Sequence, residues 1–381
     1  MPLRKRVKND KGAAPPEIEG DRISALPDEL LKHVLSFLPA KEAVHTCVLA
    51  RRWRPLWKSA TGLRLSCIES TPRKEFQLFV DHLLLLRGTA PLDTFELVFD
   101  RSRDRYERLC LNIWIRHVLM CQVRTLMLYN MYFNGFGLDD LPLISQHLTR
   151  LELIGVTLKN SFCNFLGCPS LEHLEIAYCL FQDVKELSSK SLKRLSIKNC
   201  CFSVNILICV PSLVSLCLDG HLYSVSVLES MPSLQVAFIR NANAPWDCYD
   251  DCDPYDGIAH DNTKCFLLEG LSQAKSLTLI SVSEMFIFRR DLKHCPTFSK
   301  LKTLLLNDSW CVAPDFHALT SILKHSPVLE KLTLHLFSKG PKHEVEIIGR
   351  CNPMERSATI SEHLKAIEVK CKVIDENVHK V

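Results

Sequence analysis

Leu148-Thr149-Arg150-Leu151-Glu152-Leu153 decides the fold, because its L-x-x-L-x-L form returns along the chain. It recurs as Leu171-Leu174-Ile176, Leu192-Leu195-Ile197 and Leu213-Leu216-Leu218, with a weaker copy from Leu234. Successive copies start 23, 21, 21 and 21 residues apart. An amphipathic helix also spaces its leucines, but it does not reset at proline in each cycle. Here Pro169-Ser170-Leu171, Pro211-Ser212-Leu213 and Pro232-Ser233-Leu234 introduce three copies, with Pro327-Val328-Leu329 as a variant. Proline ends the incoming segment and pre-sets an extended entry to a strand.

A period of this length marks a leucine-rich solenoid. Looser copies extend it in both directions: Leu92-Phe95-Leu97, Val123-Leu126-Leu128, Leu277-Leu279, Leu301-Leu304-Leu306, Leu329-Leu332-Leu334 and Leu364-Ile367-Val369. The expected class is therefore α/β: a short N-terminal helical module, then a horseshoe with a parallel sheet on its concave face. The leucines point between coils, and the positions between them face outward. On that face the sequence places Arg150, Glu152, His173, Glu175, Arg194, Lys198, Asp219, Phe238, Arg240, Lys331 and His335. They are mixed in sign and make a candidate surface for an unknown target protein.

Composition bounds the alternatives. Hydrophobic residues at 47% and charged ones at 24% suit a soluble, packed chain, and a net charge of +4 over 381 residues does not argue for nucleic acid or membrane. No apolar run reaches the eighteen residues or so of a membrane span. The chain opens Met1-Pro2-Leu3-Arg4-Lys5-Arg6 with no apolar run behind it, unlike a secretory leader. Its eighteen cysteines sit largely in apolar strings such as Leu216-Cys217-Leu218, where they read as small reduced hydrophobes. The expected compartment is the nucleus, the cytoplasm or both. Residues 1–20 read as a disordered basic tail; Arg4-Lys5-Arg6-Val7-Lys8 fits a nuclear-import signal or a merely solvated run.

Residues 21–60 have a helical pattern. Pro27 suits a helix start, with Asp28 and Glu29 favoured by the dipole of the first turn. Leu30, Leu31, Val34, Leu35 and Leu38 form one broad apolar face that ends at Pro39. A second helical stretch is expected from about Lys41, carrying Val44, Cys47 and Val48, with Leu49, Trp53, Leu56 and Trp57 continuing at helical spacing. About forty residues make a marginal core, so this much apolar surface calls for a partner or for packing on the next domain.

The string Leu26-Pro27-Asp28-Glu29-Leu30-Leu31-Lys32-His33-Val34-Leu35-Ser36-Phe37-Leu38-Pro39, with the later Val48-Leu49-Ala50-Arg51-Arg52-Trp53-Arg54-Pro55-Leu56-Trp57, resembles an F-box. Ala50 departs from the serine frequent there. The resemblance implies a three-helix unit whose apolar face binds a Skp-type adaptor and, through it, a cullin in an SCF-type ubiquitin ligase. The docking residues it implies are Leu26, Pro27, Leu30, Val34, Leu35, Leu38, Pro39, Trp53 and Trp57. The chain is then a non-catalytic substrate receptor; the alternative is a leucine-rich-repeat scaffold outside any ligase. Residues 61–90 are expected as a helical linker, 91–297 as repeats with an insertion at 241–265, and 298–381 as the last repeats. That last part, Phe298 to Leu334 with His363-Leu364-Lys365-Ala366-Ile367-Glu368-Val369-Lys370, resembles the start of the FBD domain of plant F-box/leucine-rich-repeat proteins, cut short at 375–381.

The search for chemistry ends with no catalytic residue, metal or cofactor expected. Cys248, Cys252, His260 and Cys265 have only half the spacing of a zinc site. Asp251, Asp253 and Asp256-Gly257 miss the calcium-loop register, and Asn262 stands where glutamate is required. Scattered His and Cys on a repeat scaffold give no nucleophile–base pair, and no G-x-x-x-x-G-K loop occurs. Arg51, Arg52, Arg54 and Lys58 beside Trp53 and Trp57 sketch a phosphate patch, but the tryptophans share a face with Leu49 and Leu56 and read as core.

Overall fold

Each L-x-x-L-x-L copy forms a strand that hides its leucines on one side. The computed structural model describes residues 23, 25–67, 72–99, 105–130, 136–222, 225–241, 267–281, 287–289, 291–311, 316–336 and 361–371. Twelve parallel strands follow one another in chain order across a single sheet. They are β1 (Gly62–Cys67), β2 (Thr94–Phe99), β3 (Thr125–Asn130), β4 (Arg150–Ile154), β5 (His173–Ala177), β6 (Arg194–Lys198), β7 (Ser215–Gly220), β8 (Val236–Asn241), β9 (Ser276–Ile280), β10 (Thr303–Asn307), β11 (Lys331–Leu336) and β12 (Ala366–Cys371).

Register is set by the leucines. The second leucine of each copy stacks in line from Leu63 through Leu151, Leu174, Leu195 and Leu216 to Ile367. The third makes a parallel ladder from Leu65 to Val369. Between Leu63 and Leu334 every member of both ladders is at most 4% exposed. Burying a leucine side chain is worth about 1.5–3 kcal/mol, so the ladders dominate the stability of the solenoid.

The serine before the first leucine has a role that spacing did not reveal, in the Pro-Ser-Leu entries at Ser170 and Ser212 and in Lys190-Ser191-Leu192 between them. The serine hydroxyl reaches back to the previous coil: Ser170 donates to the carbonyl of Gln146 at 2.7 Å, Ser191 to Leu171 at 2.8 Å and Ser212 to Leu192 at 3.0 Å. At the other end of the strands, consecutive coils turn through one left-handed residue each, at Gly155, Tyr178, Asn199 and Gly220. Gly155 is required there, because a Cβ would sit 2.5 Å from the Asn130 carbonyl oxygen.

The middle coils return through short strands, in a four-stranded and a three-stranded parallel sheet, which explains their tight period. Outside them, helices take over the return. Helices α3 (Arg73–Arg87) and α4 (Arg105–Met120) serve the first coils, after α1 (Asp28–Leu35) and α2 (Ala40–His45) of the N-terminal module. Residues 61–90 are thus not a helical linker throughout. β1 opens the sheet, because Ala60, Leu63 and Leu65 form one more repeat copy, with alanine in the first place, and all three are buried. The expected second helix from Lys41 is also shorter. After α2 the chain runs as three 3-10 turns, Thr46–Val48, Arg51–Trp53 and Leu56–Ser59, because Ala50 is extended and Pro55 interrupts. The basic tail, most of the insertion and the segment 375–381 lie outside the described residues.

One hydrophobic core runs from Leu31 in α1 to Leu334 in β11. The N-terminal module is continuous with it. Arg87, at the end of α3 and buried, donates to the Trp57 and Ala60 carbonyls, both at 2.8 Å. Burial lowers its guanidinium to about 10, still protonated at neutral pH.

Candidate functional site

Leu30, Val34 and Phe37 follow at i, i+4 and i+7, which puts them on one stripe of α1 and the turn after it. All three face solvent, at 50%, 50% and 60% exposure, while Leu31 and Leu35 on the opposite side are at 1%. Ile23 before the helix, Val48 at the end of the first 3-10 turn and Leu49 just after it are also exposed, Val48 at 87%. Several water-facing hydrophobes of this size in one short module are the usual mark of a docking face.

The structure divides the nine residues expected to dock. Leu30 and Val34 are on the exposed stripe, and Pro27 and Pro39 are exposed at the starts of α1 and α2. Leu26 and Leu38 are half-buried against the core. Leu35, Trp53 and Trp57 are buried, so their side chains serve the chain's own core in this structure. Phe37, Val48 and Leu49 are the exposed residues that sequence reasoning passed over. Their signal was present in the quoted string, but the helical period assumed through Val48 does not hold there.

The tryptophans are held from behind. Arg52 binds Asp28 with Nη2–Oδ1 at 2.6 Å and donates to the Leu26 carbonyl at 2.6 Å, which ties the 3-10 turns to the start of α1. Residues 36–39 lie along β1: Pro39 bridges Arg64, the Ser36 carbonyl accepts from Arg64, and the Arg64 guanidinium is 5.6 Å from the Phe37 ring centroid. Within the basic cluster weighed, and set aside, as a phosphate patch, Arg52 is thus committed to the fold.

The second candidate is the outward face of the sheet. All eleven expected residues lie on its strands and none is buried. Arg150, His173 and Arg194 stand side by side on β4–β6, Glu152 beside Glu175, and Lys198, Asp219 and Arg240 in a third row. They satisfy one another, within a strand or across coils. Arg150 binds Glu152 at 2.5 Å, Lys198 binds Glu175 at 2.8 Å, and Arg240 grips Asp219 through two bonds of 2.6 and 2.7 Å. Tyr129 donates to Glu152 at 2.5 Å, and partial burial with this carboxylate pushes its hydroxyl well above its usual range. Partial burial, with the charges of Arg194 and Arg150, lowers His173.

The thiols do not look like nucleophiles. Burial pushes Cys168, Cys295 and Cys311 up to about 11, and Cys163 further, so the thiolate is scarce at neutral pH. The candidate zinc residues Cys248, Cys252, His260 and Cys265, and the aspartates near them, lie outside the described residues. Among the described residues no helix is long and apolar enough to cross a membrane.

Comparison with known proteins agrees with this geometry. The F-box domain model matches residues 23–64, the exposed-stripe module plus the first half of β1. An F-box/LRR-repeat protein of Arabidopsis thaliana is 36% identical over 174 residues, 43% of this chain and 44% of the relative. F-box/LRR-repeat protein 13 of that plant is 33% identical over 172 residues, 43% of this chain and 37% of its own length. An FBD-associated F-box protein from it is 34% identical over 158 residues, 41% of this chain and 35% of its own. The matched stretch spans less than half the length of each relative.

Proposed function

We propose that this chain, a plant-type F-box/leucine-rich-repeat protein with FBD-like features, is the substrate receptor of an SCF-type ubiquitin ligase. The F-box docks on a Skp-type adaptor, which links it to a cullin, and the solenoid holds a target protein. The exposed stripe of Leu30, Val34 and Phe37 with Val48 and Leu49 carries this reading, because such a surface is stable in water only at a cost that a partner removes. Such a receptor works by position: it raises the effective concentration of target lysines near the charged conjugating enzyme. It supplies no catalytic residue and acts in the nucleus or cytoplasm.

The test is co-purification of the intact chain with a Skp-type adaptor. Removing residues 1–60 is a poor control, since it uncovers Leu63 and Leu65 and strips Arg87 of both carbonyl partners. Val48→Glu and Leu30→Glu are better, because both side chains already face water. The expected outcome is loss of the adaptor with an unchanged melting temperature. Retention of the adaptor by the double variant would overturn the docking face.

A further inference from the structure

We propose that the outward face of β8–β12 is the part of the solenoid that takes the target, and that it takes an acidic segment bearing apolar side chains. This rests on the receptor reading above. Two features of that face carry it.

The first is a neutral floor. Val236 on β8 is 48% exposed, and Phe238, Ile280 and Leu305 on β8, β9 and β10 are half-buried in neighbouring rows of the sheet. The outward positions of β9 and β10 carry no charge: Ser276, Thr278 and Ile280, then Thr303, Leu305 and Asn307. Apolar side chains from a partner have a dry seat there, and the threonine and serine hydroxyls serve its backbone.

The second is an unbalanced rim. Glu330 is shared by Lys302 at 2.8 Å and Lys365 at 2.9 Å, and Glu368 by Lys331 at 2.9 Å and Lys370 at 3.4 Å. With Lys275 also exposed on this rim, five ammonium groups among the described residues face the two carboxylates Glu330 and Glu368, a surplus of three positive charges in this group. Glu330 shows the resulting field: the two lysines hold it down at about 2. From β1 to β8 most cations have one carboxylate each, Arg64 with Glu96, Arg150 with Glu152, Lys198 with Glu175 and Arg240 with Asp219, while Arg194 meets His173 instead. Paired charges there have little left to offer a partner, whereas the rim attracts and orients negative charge.

Fluorescence anisotropy on the intact chain tests this with a short labelled peptide that alternates glutamate with leucine and phenylalanine. Saturable binding is expected, weakening by about tenfold or more when its glutamates become lysine or its apolar residues serine. Lys302→Glu with Lys331→Glu, and separately Phe238→Ser, should each weaken it by about tenfold, while Lys185→Glu, exposed and off the twelve-stranded sheet, leaves it unchanged. These side chains are not core, so an unchanged melting temperature is expected and checks that folding is intact. The proposal is overturned if the lysine peptide binds as well, if the rim and floor variants bind normally, or if no binding is seen. It is also overturned if phosphatidylserine vesicles or a single-stranded oligonucleotide bind more tightly, with no loss on Phe238→Ser. Adaptor co-purification is read separately, so failure here leaves the ligase reading standing, and failure there does not decide this one.

Discussion

Among the described residues, the two ends of the leucine ladder are covered to different extents. At the first end, Leu63 and Leu65 are 4% and 2% exposed, because the F-box and α3 pack over β1. At the last, the equivalent Ile367 and Val369 are 59% and 38% exposed. The residue types and register are alike, so the contrast comes from what lies beside them. The F-box, proposed above to dock an adaptor, also serves as the cap that a solenoid needs on its terminal coil. Its two sides divide the work: Leu31, Leu35, Trp53 and Trp57 face the core, and Leu30, Val34, Phe37, Val48 and Leu49 face outward.

The sharpest way to break this comparison is to truncate matched positions at the two ends. Leu65→Ala should cost about 2–5 kcal/mol in chemical denaturation, whereas Val369→Ala should cost less than about 1 kcal/mol. Equal costs would mean that β12 is covered as fully as β1. Arg87→Leu should follow, losing about 2–4 kcal/mol, since it leaves the Trp57 and Ala60 carbonyls buried without their donor. Its melting transition should remain single if the F-box and solenoid unfold together, and splitting into two would show that they do not. Gly62→Ala is expected to cost about 1–3 kcal/mol, because the new Cβ would lie 2.2 Å from the Ser36 carbonyl oxygen and push the F-box off β1.

The smallest effect belongs to pH at the last coils. Glu330 titrates at about 2 in the folded chain against 4.5 for a free carboxyl, so the folded state holds the proton less tightly. Its contribution is complete above about 4.5 and is lost as the pH falls through about 2. The group is solvent-exposed, so the effect on stability is slight and screened by salt. A carbon-detected NMR titration of the Glu330 carboxyl should show the low midpoint, and Lys302→Met with Lys365→Met should return it toward the free value.

The leucine period marked out eleven of the twelve strands of the sheet, since buried apolar side chains in stacked coils leave a repeat that needs no partner to be visible. β1 escaped because Ala60 stands for the first leucine, and because Leu63 and Leu65 declare themselves a strand only when paired with Phe95 and Leu97. The F-box was equally plain from its own string. Which of its hydrophobes face outward was not, because helical spacing holds through α1 and fails after α2. With Ala50 extended and the chain wound into 3-10 turns, Trp53 and Trp57 swing into the core while Val48 and Leu49 are left outside.

The sequence by itself determined the repeat, the register of the ladders and the presence of an F-box, since these depend on residue type at fixed local spacing. Only the tertiary structure decided that the F-box caps the sheet, and that among the described residues two carboxylates on the last strands are each shared by two lysines. Those outcomes depend on which side chains meet across coils, at distances that chain spacing alone does not encode.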